Sequence, residues 1–214
     1  MIGLTTGSVP AAFISLESCQ AMLAAADRHL TLVDGKTITP NSNYSMSDFS
    51  AWGVSPDLRL KPEIAAPGGE VFSSIPDGAY EQSSGTSMAT PQMAGVSAVV
   101  LQRVQSDPLF ASMSARQKAE VVQNLIMGTA RPLTDAAQTT GALYSPRKQG
   151  AGLVDALAAT TSSVYPTVVG APEQSRPKAD LGDGTKGWHF DVTLHNLSGV
   201  EATYELSSQA LSEI

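Results

Sequence analysis

Residues 85–91 have the sequence GTSMATP. The glycine before the serine and the small, helix-compatible residues after it predict a junction at which an extended segment turns into a helix. A serine at the head of a helix lies beside backbone N–H groups that lack helical partners and beside the positive end of the helix dipole. A developing oxyanion can be stabilised there. Ser87 is therefore a candidate nucleophile, although the local pattern by itself is more typical of a helix cap.

The composition predicts a folded protein and excludes several classes of function. The chain has 214 residues, of which 42% are hydrophobic and 15% are charged, which suits one ordinary domain or two small ones. A net charge of −7 gives no basic face for nucleic acid or anionic lipid. No apolar run is long enough to span a membrane, and residues 1–7 lack the features of a signal peptide. The single cysteine, Cys19, excludes a disulfide scaffold and a cysteine-rich metal site.

The first part of the chain, residues 1–38, is predicted to form a strand, a helix and a second strand. The apolar run 9–14 and the alternating run 30–33 are the two strands, and the alanine-rich segment 17–28 between them is the helix. A polar connector at residues 39–43 follows.

The middle of the chain, residues 44–162, is predicted to contain an extended segment and three helices. An extended segment is expected at 58–66, and helices are expected at 88–104, from Ser114 onward and at 153–159.

Two of these helices carry local signals. The helix at 88–104 is rich in small residues, which predicts close approach to neighbouring elements, and Pro91 is expected in its first turn. The next helix begins with a capping box of Ser114 and Gln117 and is expected to end at Gly128. One face of this second helix contains Ala119, Val122 and Ile126.

The chain changes character from Pro166 onward. Prolines and glycines indicate a loop, and residues 188–194 then alternate between apolar and polar, as a strand does. A turn at 196–199 precedes a second predicted strand at 202–206. Two such strands are typical of the start of a β-sandwich.

Three stretches, in the same order, resemble the subtilisin-like serine peptidases. Residues 84–95, SGTSMATPQMAG, resemble the serine box of that family almost residue for residue. Upstream, residues 60–68, LKPEIAAPG, resemble the strand that precedes the box. Downstream, residues 149–156, QGAGLVDA, resemble the helix that closes the catalytic domain.

The flanking segments resemble the large cell-envelope subtilases of the lactocepin type. Residues 46–53, MSDFSAWG, resemble the return to the catalytic domain after a protease-associated insert. Residues 9–15 and the helix after them resemble the end of that insert. The region from Pro166 resembles the opening strands of a fibronectin-type domain.

The resemblance implies an α/β fold. It consists of a subtilisin-like parallel sheet with helices on both faces, present here in part, and the start of a C-terminal β-sandwich. The implied domains are residues 1–40, the C-terminal part of the protease-associated insert; residues 41–163, the serine-box half of the catalytic domain; and residues 164–214, the opening strands of the sandwich.

By the same resemblance, Ser87 is the nucleophile of an endopeptidase that hydrolyses peptide bonds through an acyl-enzyme. Its backbone N–H is then one oxyanion donor, the Thr86 hydroxyl lies next to the same pocket, and Gly85 allows the tight turn before it. A protein or peptide substrate is implied, with no cofactor and no metal. The parent enzyme is expected outside the cell or at its surface.

Important parts of the family pattern are missing from this sequence. The aspartate and histidine boxes and the oxyanion asparagine precede the serine in the family, and none of them is present. The only histidines are His29, His189 and His195. The first is expected at the surface, and the other two follow the serine and are expected to be structural or solvent-facing. Because loss of triad members costs many orders of magnitude in rate, this chain is expected to be inactive by itself.

Two other functions stay open at this point. An α/β-hydrolase could use Ser87 in a nucleophile elbow together with Asp155 and His189, although Ala89 stands where the elbow has glycine. A truncated relative that binds peptides without cleaving them is the other possibility. The acidic turn at 180–184 is interpreted as an ordinary turn, because it lacks the alternating ligands of a calcium loop.

Overall fold

The computed structural model describes residues 2–3, 11–12, 20, 24, 44–135, 141–169, 176–179, 181 and 187–209. The chain forms two compact units, residues 1–42 and 43–214. In the first unit, strands β1 (Ile2–Gly3) and β2 (Ala11–Ala12) pair antiparallel.

Strand β2 lies within the strand predicted at 9–14. Of the helix predicted at 17–28, Gln20 and Ala24 are described and are helical. The rest of that helix, Cys19 and the strand predicted at 30–33 lie outside the described residues.

The second unit combines helices with small antiparallel sheets. Its helices are α1 (Thr86–Ser106), α2 (Ala115–Gly128), α3 (Pro146–Gln149) and α4 (Ala156–Thr161). Its strands are β3 (Val71–Ser74), β4 (Tyr80–Ser83), β5 (Val164–Val169) and β6 (Asp191–Asn196), with 3₁₀ turns at Pro76–Gly78 and Pro108–Phe110. Strands β3 and β4 form one hairpin, β5 pairs with β6, and a parallel bridge joins Ala65 to Leu153. The predicted α/β class is confirmed, in a partial form.

Helix α1 confirms the helix predicted at 88–104 and extends it by one half-turn at each end. Because the helix already begins at Thr86, Pro91 lies inside it and not in its first turn, which corrects the prediction. Proline has no N–H, so the carbonyl of Ser87, four residues earlier, receives no helical hydrogen bond from residue 91. The first turn of α1 is therefore held less firmly by the helix itself than an uninterrupted helix would hold it.

Helix α2 begins as predicted. The Ser114 hydroxyl accepts a hydrogen bond from the Gln117 N–H at 3.3 Å, and the Gln117 side chain accepts one from the Ser114 N–H at 2.9 Å. Val122 and Ile126 are buried as expected, whereas Ala119 is exposed, and Val121, Asn124 and Leu125 are buried in addition.

The hydrophobic core of the second unit is formed where α1, α2, α4 and β5 meet. Its buried members are Val96, Val100, Val104, Phe110, Val121, Val122, Leu125, Ile126, Ala159 and Tyr165. Strand β5 was not predicted, and it contributes Tyr165 to this core. Strand β5 therefore packs on the helical part of the same compact unit.

Three expectations near the C-terminal side need correction. The helix predicted at 153–159 begins only at Ala156, because Leu153 pairs with Ala65 and Arg131 and Asp155 caps the helix. The strand predicted at 188–194 is shifted to Asp191–Asn196. Residues 202–206 lie in a described segment, and that segment contains no strand.

The segment predicted to be extended at 58–66 forms no regular strand, and Leu58 has a φ of 62°. Only Ala65 makes a β-bridge there. Among the described residues, none of the helices is long and apolar enough to cross a membrane.

Gly95→Ala is expected to stabilise this chain by about 1 kcal/mol, because glycine is a poor helix former. Gly95 is exposed in the middle of α1, and a Cβ placed there meets no atom within 4 Å. Urea unfolding followed by circular dichroism measures the change. A loss of stability would contradict the prediction and would indicate that another surface packs against this part of the helix.

Candidate active site

Ser87 lies in the first turn of α1, directly after the β3–β4 hairpin. Strand β4 ends at Ser83, and the helix begins at Thr86 with Gly85 as its N-cap residue. Gly85 has a φ of 155°, which side chains rarely allow. Because Gly85 is the N-cap, Ser87 is not the capping residue that its local sequence alone favoured.

The Ser87 side chain is exposed. Within the described part of the chain, its hydroxyl has no hydrogen-bond partner. The neighbouring Thr86 is also exposed, and its carbonyl accepts a hydrogen bond from the Thr90 hydroxyl at 2.9 Å. The Met88 N–H bonds to the Gly85 carbonyl at 3.0 Å, so the turn is closed around Ser87 while its hydroxyl stays available.

The two described histidines contact residues other than Ser87. His195 lies in β6, where its Nε2 is 2.9 Å from the Thr167 hydroxyl and its ring stacks on Tyr165 with centroids 4.5 Å apart. His189 is exposed just before β6, and its Nε2 is 3.4 Å from Asp191 Oδ1. His29 lies outside the described residues. Neither described histidine hydrogen-bonds to Ser87, and each lies beside a partner of its own.

The geometry does not support the α/β-hydrolase alternative. One oxygen of Asp155, Oδ1, accepts the Ala158 N–H at 2.9 Å and caps helix α4. The other, Oδ2, is 3.3 Å from Arg131 Nε. Both oxygens of the Asp155 carboxylate therefore have partners, one at the start of α4 and one on Arg131, and the carboxylate does not orient His189.

No group of three or more His, Cys, Asp or Glu side chains that could hold a metal ion occurs in the described segments. The acidic turn at 180–184 lies outside them, except for Leu181.

A cluster of charged side chains surrounds Glu63, which lies in the segment before the serine turn. The Glu63 carboxylate contacts Lys61, Arg176 Nη1 at 2.6 Å and Lys178 Nζ at 3.5 Å. Burial alone raises the pKa of Glu63, but the hydrogen bond from Lys61 and the charges of Lys61, Lys178 and Arg176 together hold the pKa below its ordinary value. These contacts tie residues 176–179 to the segment that leads to Gly68.

Glu63→Gln is expected to destabilise the chain by about 1–2 kcal/mol at neutral pH, because three cations lose one carboxylate. A lowered pKa stabilises the folded state at pH values above the ordinary pKa of glutamate, and this contribution is lost as the pH falls through the folded-state pKa. The difference between wild type and variant should therefore shrink below about pH 4. Thermal unfolding between pH 3 and 7 measures it.

Glu120→Gln is the matched control for this pH series. Glu120 Oε1 pairs with Arg116 Nε at 3.2 Å on the surface of α2, and such exposed pairs contribute about 0.5 kcal/mol or less. A Glu63→Gln effect no larger than that of Glu120→Gln, or one that persists at pH 3, would contradict the prediction.

The sequence model of the subtilase family matches residues 4–152. The C5a peptidase of Streptococcus pyogenes serotype M1 is 31% identical over 191 residues, covering 89% of this chain and 16% of that protein. The PII-type proteinase of Lactococcus lactis subsp. cremoris is 35% identical over 182 residues, covering 80% of this chain and 10% of that protein. The chain belongs to the subtilase family, as its serine box predicted.

Solved structures of two maturation proteases are also similar. The prenylagaramide maturation protease PagA aligns with a TM-score of 0.39 at 28% identity, covering 53% of this chain and 36% of that one. The patellamide maturation protease PatA aligns with a TM-score of 0.34 at 32% identity, covering 46% and 32%. The chain spans 16% and 10% of the length of the two curated relatives described above.

Proposed function

We propose that this chain carries the nucleophile of a serine endopeptidase and that Ser87 is that nucleophile. The observation that carries the proposal is the exposed Ser87 hydroxyl, unengaged by any described residue, in the first turn of α1. Membership of the subtilase family, and the names peptidase and proteinase borne by the relatives, support the same reaction.

The head of the helix suits acyl transfer. Ser87 Oγ would attack the peptide carbonyl carbon and pass its proton to a base, which forms a tetrahedral intermediate. The Ser87 N–H has no helical partner and lies at the positive end of α1, so it is placed to stabilise the oxyanion. The amine then leaves with the proton, and water hydrolyses the acyl-enzyme. Gly85 and Thr86 support this turn and the oxyanion pocket.

The base and its orienting carboxylate are proposed to lie on polypeptide outside this sequence, in the part that precedes residue 1. In that arrangement residues 1–40 end a protease-associated insert, 41–163 form the serine-box half of the catalytic domain, and 164–214 open a fibronectin-type sandwich. The whole enzyme would act on proteins or peptides outside the cell or at its surface. The chain by itself would be inactive, because no described histidine contacts Ser87.

A fluorophosphonate probe tests the proposal, since it reacts only with an activated serine. The gene upstream of Met1 is expected to encode aspartate and histidine boxes, and the longer polypeptide should be labelled at Ser87. This chain by itself should not be labelled. Labelling of Ser87 in the isolated chain would contradict the predicted inactivity, and no labelling of the longer polypeptide would contradict the peptidase function.

A further inference from the structure

Residues 67–70 lie against the turn that carries Ser87. The Gly85 N–H donates to the Gly68 carbonyl at 2.8 Å, and Gln92 Nε2 donates to the Pro67 carbonyl at 2.8 Å. These two bonds hold the chain before and after Ser87 to the same short segment. A third bond, from the Glu70 N–H to the Ser84 hydroxyl at 2.8 Å, joins the segment to the end of the hairpin.

The close approach depends on the absence of a side chain at Gly68. Gly68 is buried, and a Cβ there would lie 2.7 Å from the Gly85 carbonyl oxygen and 3.2 Å from Ala89 Cβ. The carbonyl is backbone and cannot rotate away, so any side chain must displace the turn itself. The φ of Gly68 is outside the left-handed region, so the position requires glycine for space and not for conformation.

Gln92 follows the proline that interrupts the hydrogen bonding of the helix. Pro91 provides no N–H for the Ser87 carbonyl, and the Gln92 side chain lies one residue further along. Its Nε2 reaches the Met88 carbonyl at 3.4 Å as well as the Pro67 carbonyl. The start of α1 is thus also held by bonds to Pro67 and Gly68, which lie outside the helix.

We propose that Gly68 and Gln92 are positioning residues, which fix the Ser87 backbone and hydroxyl in the geometry that acyl transfer needs. This inference rests on the proposed function of Ser87. Misplacement of a reacting atom by about 1 Å can cost on the order of 100-fold in rate, so small shifts of the turn matter.

The contacts that Gly68 and Gln92 make around the Ser87 turn are called the clamp below. Two substitutions with matched controls test the clamp in this chain, whether or not the chain is active. Gly68→Ala is compared with Gly69→Ala, where a Cβ would meet only the Ser47 hydroxyl at 3.3 Å. Gln92→Met is compared with Gln102→Met on the exposed side of the same helix. Amide exchange at Gly85 and Met88, whose N–H groups bond to the Gly68 and Gly85 carbonyls, should quicken by about tenfold or more in Gly68→Ala and Gln92→Met, while exchange in α2 stays unchanged. Exchange at wild-type rates in both variants would overturn the proposal.

The second measurement uses the longer polypeptide that carries the aspartate and histidine boxes. Gly68→Ala and Gln92→Met should lower kcat by about 10- to 100-fold and leave KM within about twofold, because the loss is in positioning and not in substrate binding. Wild-type kcat in both would overturn the inference. If the wild-type polypeptide itself hydrolyses nothing, the proposed function has failed, and amide exchange still decides whether the clamp exists.

Discussion

Gly152→Ala is expected to unfold this chain or to destabilise it by about 4 kcal/mol or more, which is exceptional for one methyl group. Gly152 is buried and has a φ of 121°, and a Cβ there would lie 2.3 Å from the Arg131 carbonyl oxygen. Its own carbonyl accepts the Ala65 N–H at 2.9 Å. The added carbon must therefore push apart backbone segments that are hydrogen-bonded around it. Thermal unfolding and the soluble yield measure the effect.

The loss in Gly152→Ala has two causes, the positive φ and the close approach of the Arg131 backbone, and Gly199→Ala separates them. Gly199 also has a positive φ, 69°, but a Cβ there meets nothing within 4 Å. It should cost only the conformational penalty, about 1–2 kcal/mol. If Gly152→Ala destabilises the chain no more than Gly199→Ala, the close approach of the Arg131 backbone is not the cause and the prediction is wrong.

The two long helices, α1 and α2, could be predicted because their signals are local, whereas α3 was not predicted. The capping box of Ser114 and Gln117 lies within one turn of α2, and the small residues after Ser87 are compatible with a helix. The exact start of α1 could not be predicted, because Gly85 becomes its N-cap through a φ of 155° that the fold imposes. Because the helix starts two residues before the predicted start, Pro91 lies beyond its first turn and not within it.

The strands were predicted less well, because their pairing depends on residues distant in the sequence. Strand β5 contains Pro166, and its burial depends on packing against α2, where a Cβ at Gly128 would lie 2.6 Å from Pro166 Cδ. Residues 202–206 have the alternation of a strand but no strand partner among the described residues. A pattern of side chains predicts a strand only where a partner is present.

The candidate nucleophile follows from a short stretch of sequence, and its assignment stays a prediction. The supporting residues did not follow from the sequence, because each acts across a long separation. In the sequence, Gly68 is only the last residue of the stretch that resembles the strand before the serine box, whereas in the fold it leaves space for Gly85. Glu63 showed no sign of its ion pair with Arg176, which is 113 residues away along the chain. The one available signal was the pair of glycines at 68–69, which allows close backbone approach at either position.

Ser87→Ala should leave the stability of this chain unchanged within about 0.5 kcal/mol, as expected for an exposed side chain without a described partner. A capping serine would instead cost about 1 kcal/mol when replaced. Ser97→Ala, further along the same helix, is the matched control for the general effect of replacing serine by alanine in α1. Chemical unfolding of the variants thus tests a capping role for Ser87 without requiring any activity.

In the longer polypeptide, Ser87→Ala is expected to lower kcat by on the order of 10⁶-fold, the magnitude found for subtilisin of the same family. Alanine has no oxygen to form the acyl-enzyme, whereas the substrate-binding surface is unchanged, so substrate affinity should stay close to wild type. Burst kinetics with an activated peptide ester and equilibrium binding of an uncleaved peptide measure the two effects. Ser97→Ala should keep wild-type turnover. Hydrolysis by Ser87→Ala at more than a few per cent of the wild-type rate would remove Ser87 from the mechanism. A stable Ser87→Ala protein that binds peptide and cleaves none would instead place the whole loss in the chemical step.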